Sequence, residues 1–115
     1  MTNSYFNIEH LLELTNNDIN FVKELAGVFC ETIPPMADEM QIACDESNWQ
    51  AVSQLAHKLK PSIDTMRIES IRDDILQIES RTKQNIELHT VPALVTKVCE
   101  VVYLTRDELM ASFLK

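Results

Sequence analysis

The sequence predicts an all-α protein, an antiparallel four-helix bundle with a short additional N-terminal helix, and three observations carry that prediction. Apolar residues recur every three or four positions along most of the chain, which is the spacing of one helix face. A single glycine, Gly27, and an aromatic share of 6% do not supply the turn glycines and strand residues that a sandwich or barrel requires. No repeat, low-complexity tract or Pro/Ser-rich linker divides the chain, so residues 1–115 are expected to form one domain with short connections.

From Asn7 to Leu14, the residues Ile8, Leu11, Leu12 and Leu14 make a short amphipathic helix that stops at the turn signal Thr15-Asn16-Asn17. Asp18 can cap a second helix, in which Val22, Leu25, Ala26, Phe29 and Ile33 repeat at three and four. The stripe resumes at Met36, Met40 and Ala43, so the two donors lost at Pro34-Pro35 predict a kink or local break in a helix that keeps its direction. Ser47 to Gln50 has the form of a capping box, opening a third helix that runs to about Lys60 with the stripe Val52, Leu55, Ala56 and Leu59. Asp64 is placed to cap a fourth helix, whose core stripe is Ile68, Ile71, Ile75 and Ile78. After the polar stretch Ser80 to Glu87, Thr90 as cap and Pro92 in the first turn open the last helix, Val91 to Lys115. Its stripe is Leu94, Val95, Val98, Val101, Val102 and Leu109, and it is too long for the strand that valine-rich runs also favour. Trp49 is expected to anchor the start of the third helix, and Met36, Met40 and Met66 to fill gaps in the core.

The formal net charge of -8 opposes binding to nucleic acid or anionic lipid, since a polyanion must be neutralised by lysine and arginine. No apolar run reaches the length of a membrane span, and Met1-Thr-Asn-Ser-Tyr-Phe lacks a basic segment followed by an apolar signal core, so a cytoplasmic protein is expected. One glycine leaves no room for a glycine-rich phosphate loop of either the dinucleotide or the ATP type. Cys30, Cys44 and Cys99 are odd in number and widely spaced, which suggests small buried hydrophobes rather than disulfides or a zinc site. His10 and His89 belong to no clustered metal-ligand pattern and are expected on the surface.

His57 is the informative residue. At about 100° per residue it lies roughly 140° around the helix from Val52, and so points away from the core stripe. Gln50 and Gln54 precede it on that outward face, Pro61 follows one turn later, and Lys60 stands on the flank nearer the core. Between Leu55 and Arg72, Lys58, Lys60, Arg67 and Arg72 stand against Asp64 and Glu69, a basic island in an acidic chain. A solvent-facing imidazole beside two ammonium groups suits a nucleophile that accepts a phosphoryl group, because the lysines offset charge on its oxygens. An ordinary surface histidine among ordinary surface lysines is the alternative that composition alone favours.

Ala56-His57-Lys58-Leu59-Lys60-Pro61-Ser62 resembles the phosphorylation motif of histidine-containing phosphotransfer (HPt) domains: histidine, any residue, leucine, lysine, usually glycine, then serine. The opening Leu11 to Asp18, the long helix with mid-helix proline and the tryptophan-led histidine helix look like that family too. The resemblance implies that His57 is the phosphoacceptor, that Lys60 contacts the phosphoryl group, and that Glu79, on the next helix, hydrogen-bonds the imidazole. It also implies partners: response-regulator receiver domains, which hold the Mg²⁺, and a hybrid sensor histidine kinase, with no cofactor on this chain and a monomeric state. Gln50, Gln54, Lys58, Lys60 and Pro61 would form the docking face, with an apolar contribution from the short first helix. Pro61 and Arg67 depart from the family, each standing where glycine is usual, and Pro61 removes the amide that would bond the His57 carbonyl.

Two other classes compete with a phosphohistidine carrier. The phosphoacceptor domain of a sensor kinase has a similar histidine box, but with an acidic residue after the histidine and proline one place later, and it needs an ATP-binding domain for which this chain has neither length nor glycines. A helical adaptor would bind partners with no chemistry at His57. The chain could equally be free-standing or cut from a larger hybrid kinase.

Overall fold

The structure, a computed structural model, describes residues 4–114, so the expectations for Met1, Thr2 and Asn3 and for Lys115 as the end of the last helix lie outside the described residues. Five α-helices follow one another: α1 (Ile8–Leu14), α2 (Ile19–Asp45), α3 (Trp49–Met66), α4 (Glu69–Gln84) and α5 (Val91–Phe113), the last preceded by a 3₁₀ turn at Leu88–Thr90. At about 1.5 Å per residue, the 27 residues of α2 span most of the molecule's 42 Å length. α2 packs on α3 and α5, and α4 packs on the same two, closing a four-sided ring. Connections this short leave successive helices no course but an antiparallel one. α1 lies across α2 and α3.

The interior is the set of stripes read from the sequence. Val22, Ala26, Phe29, Ile33, Ala37 and Met40 from α2 meet Val52, Ala56, Leu59 and Ile63 from α3 in one buried cluster. Ile68, Ile71, Ile75 and Ile78 join them from the α4 side, and Val91, Val95, Val98, Val102 and Leu109 from α5. Met40 and Met66 are buried, and Trp49 packs against the core at the first position of α3. Cys44 is buried, whereas Cys30 and Cys99 are half-buried along the α2–α5 seam. The Cys99 thiol lies 3.2 Å from the Ala37 carbonyl, and burial foremost pushes its pKa up to about 11. Cys99 and the likewise raised Cys30 and Cys44 are thiols rather than thiolates at neutral pH, and so are poor nucleophiles.

Several expected helix ends are corrected. α2 is one helix through Pro34 and Pro35, without the local break, because the buried stripe continues on either side of them. The cap of α3 is Asn48, whose side chain accepts from Ala51 N–H, and not Ser47. Ser47 is instead left-handed, at φ 55°, and ends α2. There Ser47 N–H donates to the Cys44 carbonyl and Asn48 N–H to the Ala43 carbonyl, the paired bonds of a Schellman motif. With α2 closed in this way, Asn48 serves both helices. α3 does not stop at Lys60 but runs to Met66, since Ile63 and Met66 extend its buried face and Pro61 sits exposed on the outside. Asp64 is consequently inside α3 rather than a cap, and α4 begins after Ile68 without a side-chain cap. Thr90 does not cap α5 with its hydroxyl, which donates to the Glu87 carbonyl and accepts from Arg81 within the 3₁₀ turn.

Arg67, at φ 52°, repeats the Ser47 geometry: its N–H donates to the Asp64 carbonyl, and Ile68 N–H donates to the Ile63 carbonyl. A left-handed φ strains any residue that carries a Cβ, which is the physical reason for the glycine that the family resemblance implies at this place, and the arginine side chain itself is exposed. Asn16 and Asn85 are left-handed at the ends of α1 and α4. Gly27, by contrast, lies inside α2, where an added Cβ would meet nothing within 4 Å.

The capping assignment separates two variants. Asn48→Ala should lower stability by about 1 kcal/mol, as loss of a helix N-cap does, while Ser47→Ala should leave it within a few tenths. Urea unfolding followed by circular dichroism reads both, and a larger loss at Ser47 would restore the capping box.

Candidate functional site

The buried stripe of α3 decides where His57 goes. Val52, Ala56, Leu59 and Ile63 all face the core, so His57 is turned outward with 69% of its side chain exposed. On α4 the stripe Ile75 and Ile78 does the same for its neighbour: Glu79 falls on the flank that faces α3 and keeps only 18% exposure. The two meet. His57 Nδ1 lies 2.6 Å from Glu79 Oε2, and Lys60 Nζ donates to Glu79 Oε1 at 3.0 Å. One carboxylate thus ties together His57 and Lys60 of α3.

An ionised carboxylate can only accept, so in the neutral ring the Glu79 contact places the hydrogen on Nδ1 and leaves the lone pair on the outward Nε2. Burial works to raise the pKa of Glu79, but hydrogen bonds and charge from Lys60 and His57 outweigh it and hold the carboxyl below its ordinary value of 4.5. Glu79 is therefore an anion at neutral pH. One turn beyond His57, Pro61 carries no N–H, so the His57 carbonyl lacks its helical donor, as the sequence implied.

His57 lines an open cleft of about 790 Å³ between α3 and α4. Gln50, Gln54 and Lys58 contribute from α3; Glu79, Thr82 and Lys83 contribute from α4, so the cleft brings most of the anticipated residues together. Lys60 and Pro61 stand outside its lining. Pro61 borders a second groove, where it lies with Ser62, Thr65 and Met66 opposite Leu25, Val28, Phe29 and Thr32. The apolar surface beside the histidine helix is thus lined by α2, with 58% of Val28 exposed, and α1 supplies none of that lining.

Lys83 was not singled out by the sequence, although one signal could have found it. It follows Glu79 by four residues and so shares its helix face. The basic island also changes once folded: Lys60 is matched by Glu79, and Arg72 is paired with Asp64 and Glu69. Among the described residues, Lys58 and Lys83 make no ion pair and are the uncommitted cations of the cleft. His10 is half-buried rather than exposed, and His89 is on the surface. Among the described residues, no three His, Cys, Asp or Glu side chains converge on a metal position, and no helix is long and apolar enough to cross a membrane.

A four-helix bundle that presents an exposed imidazole, with its inner nitrogen held by a carboxylate on the adjacent helix, defines a class of histidine-bearing bundle. The sequence model of the Hpt domain matches residues 24–108, which include His57, Lys60 and Glu79, and the chain belongs to that family of histidine-containing phosphotransfer domains. The match begins within α2, so the likeness of Leu11 to Asp18 lies outside it. One similar curated protein is the virulence sensor protein BvgS of Bordetella pertussis, 26% identical over 82 residues. That alignment covers 71% of this chain but 7% of the relative, so the chain spans a small fraction of that protein's length. No solved structure matches the chain.

The Glu79 pairing has a pH signature with a definite sign. A carboxyl whose folded-state pKa is lowered contributes stability that is present above its unfolded value and lost as pH falls through the folded one. Stability should therefore decline on acidification below the ordinary value of 4.5, and Glu79→Gln should flatten that part of the profile. Denaturant midpoints measured between neutral and acidic pH read the difference, and superimposable profiles would remove the charge-assisted pairing.

Proposed function

We propose that the chain is a phosphohistidine carrier of a two-component phosphorelay, which takes a phosphoryl group from the aspartate of one receiver domain and passes it to another. The observation that carries this is the free Nε2 of an exposed His57 whose Nδ1 is held by Glu79. The Nε2 lone pair attacks phosphorus, the bond between phosphorus and the aspartyl oxygen breaks, and the aspartate leaves as a carboxylate with the bonding pair. The ring then bears positive charge, which the Glu79 carboxylate faces. Reversal onto a second aspartate completes the relay. Mg²⁺ would be held by the receiver, along with most of the catalytic groups, and this chain needs no cofactor of its own. A monomer in the cytoplasm fits such a role, since the histidine must be open to successive partners.

The docking face proposed for the receiver comprises Gln50, Gln54, Lys58, Lys60 and Pro61. A receiver's phosphorylation pocket is acidic, and the cations around His57 are its complement on an otherwise acidic chain. Exposed charges contribute little affinity by themselves, so the apolar groove of Leu25, Val28 and Pro61 supplies the rest. A relative named as a sensor, matched over a small share of its length, also supports the reading that such a domain works as one module of a longer signalling protein. A helical adaptor is the rival, and it would bind its partner as well with alanine at position 57.

His57→Gln should abolish acid-labile phosphorylation by a phosphorylated receiver while leaving the helical circular dichroism unchanged, because an exposed ring contributes little packing. Phosphorylation that persists in this variant would move the site to His10 or His89. Lys60→Ala should slow transfer by more than it weakens binding of the receiver, because it leaves the Glu79 carboxylate unneutralised beside the incoming phosphoryl group, and an unchanged transfer rate would take Lys60 out of the transfer step.

A further inference from the structure

Glu79 takes up the charge of the nearest lysine. Lys60 Nζ donates to it at 3.0 Å and is itself only 30% exposed, so the ammonium expected to face the phosphoryl oxygens is already neutralised by a carboxylate. That carboxylate also repels the incoming group. Once a phosphoryl dianion sits on Nε2, Lys60 and Glu79 cancel, and the ring's charge offsets one of the two negative charges. The site retains one negative charge that these three residues leave unbalanced.

The uncommitted cations of the cleft are Lys58 and Lys83. Lys58 is the residue after His57 and leaves α3 about 100° around from it. Lys83 rises from the opposite wall, one turn along α4 from Glu79, and is exposed at the cleft that His57 lines. Its flexible stem lets the ammonium reach across. We infer that Lys83 is the residue that balances the phosphoryl charge on His57, taking over from Lys60 because the Glu79 carboxylate already pairs with that lysine. The inference rests on His57 as the phosphoacceptor and assigns the compensating charge to a different helix from the histidine.

Phosphoramidate tests it without any receiver, so that docking cannot contribute. In that reaction the phosphorus–nitrogen bond of the donor breaks, the bond to Nε2 forms, and ammonia leaves with the bonding pair. Phosphohistidine is followed by ³¹P NMR. Lys83→Gln should slow its formation about fivefold, the scale of one exposed charge interaction, and Lys83→Arg should restore the rate. In a Glu79→Gln background, where Lys60 is released, the loss caused by Lys83→Gln should shrink to about twofold. That non-additivity is what a merely structural lysine would not give. An unchanged rate in Lys83→Gln, or an equal loss in both backgrounds, overturns the inference while His57 remains the acceptor. A wild-type chain that forms no phosphohistidine, or forms it equally well as His57→Gln, overturns the acceptor assignment and the inference with it.

Discussion

Glu79 receives two hydrogen bonds from α3 because the seam between α3 and α4 is fixed in one register by apolar side chains packed behind it. Val52, Ala56, Leu59 and Ile63 on one side, with Ile71, Ile75 and Ile78 on the other, are all essentially inaccessible to water. A shift of either helix by one residue would turn its stripe by about 100° and expose it, so register and burial are the same constraint. The polar site inherits that rigidity. Its three residues stand on helix positions rather than loops, and their separations of 2.6 and 3.0 Å follow from where the core puts the two helix axes.

The chemistry of the site follows from a division between the two imidazole nitrogens. Glu79 holds one and thereby commits the other to solvent. Had the carboxylate been placed by a loop, the ring would be free to turn and present either nitrogen. The same anion ties down Lys60, so a single residue on α4 sets both the nucleophile's tautomer and the distribution of positive charge around it. The cleft's remaining cations stand on opposite walls, Lys58 on α3 and Lys83 on α4.

Much of this was legible in the sequence, and what was missed has a common cause. The stripes gave every helix, because burial acts on each face in the same way wherever it occurs. The direction of His57 and the nearness of Glu79 followed, the first from helix angles and the second from family resemblance. Helix ends were less legible. Asp18 caps α2 as read, but Ser47, Asp64 and Thr90 do not cap with their side chains, because an asparagine, an isoleucine or a 3₁₀ turn stands at the boundary instead. The chain ran past Pro61 because two further apolar residues were available to bury. Charge was misjudged for a related reason: a count along one segment cannot include a carboxylate arriving from the next helix, and so Lys60 looked free.

The left-handed residues that end four helices, Asn16, Ser47, Arg67 and Asn85, are paired with a sole glycine that occupies an ordinary helical position in α2. Backbone freedom is thus absent where the fold bends and present where it runs straight, the reverse of what stability alone would select. A chain arranged in this way lies below the stability its own backbone permits, with the shortfall spread over turns and a helix interior. Such positions form a reserve for mutational tolerance: substitutions there can offset losses incurred while the docking face adapts to a new partner, and the recognition surface can diverge without the bundle being lost.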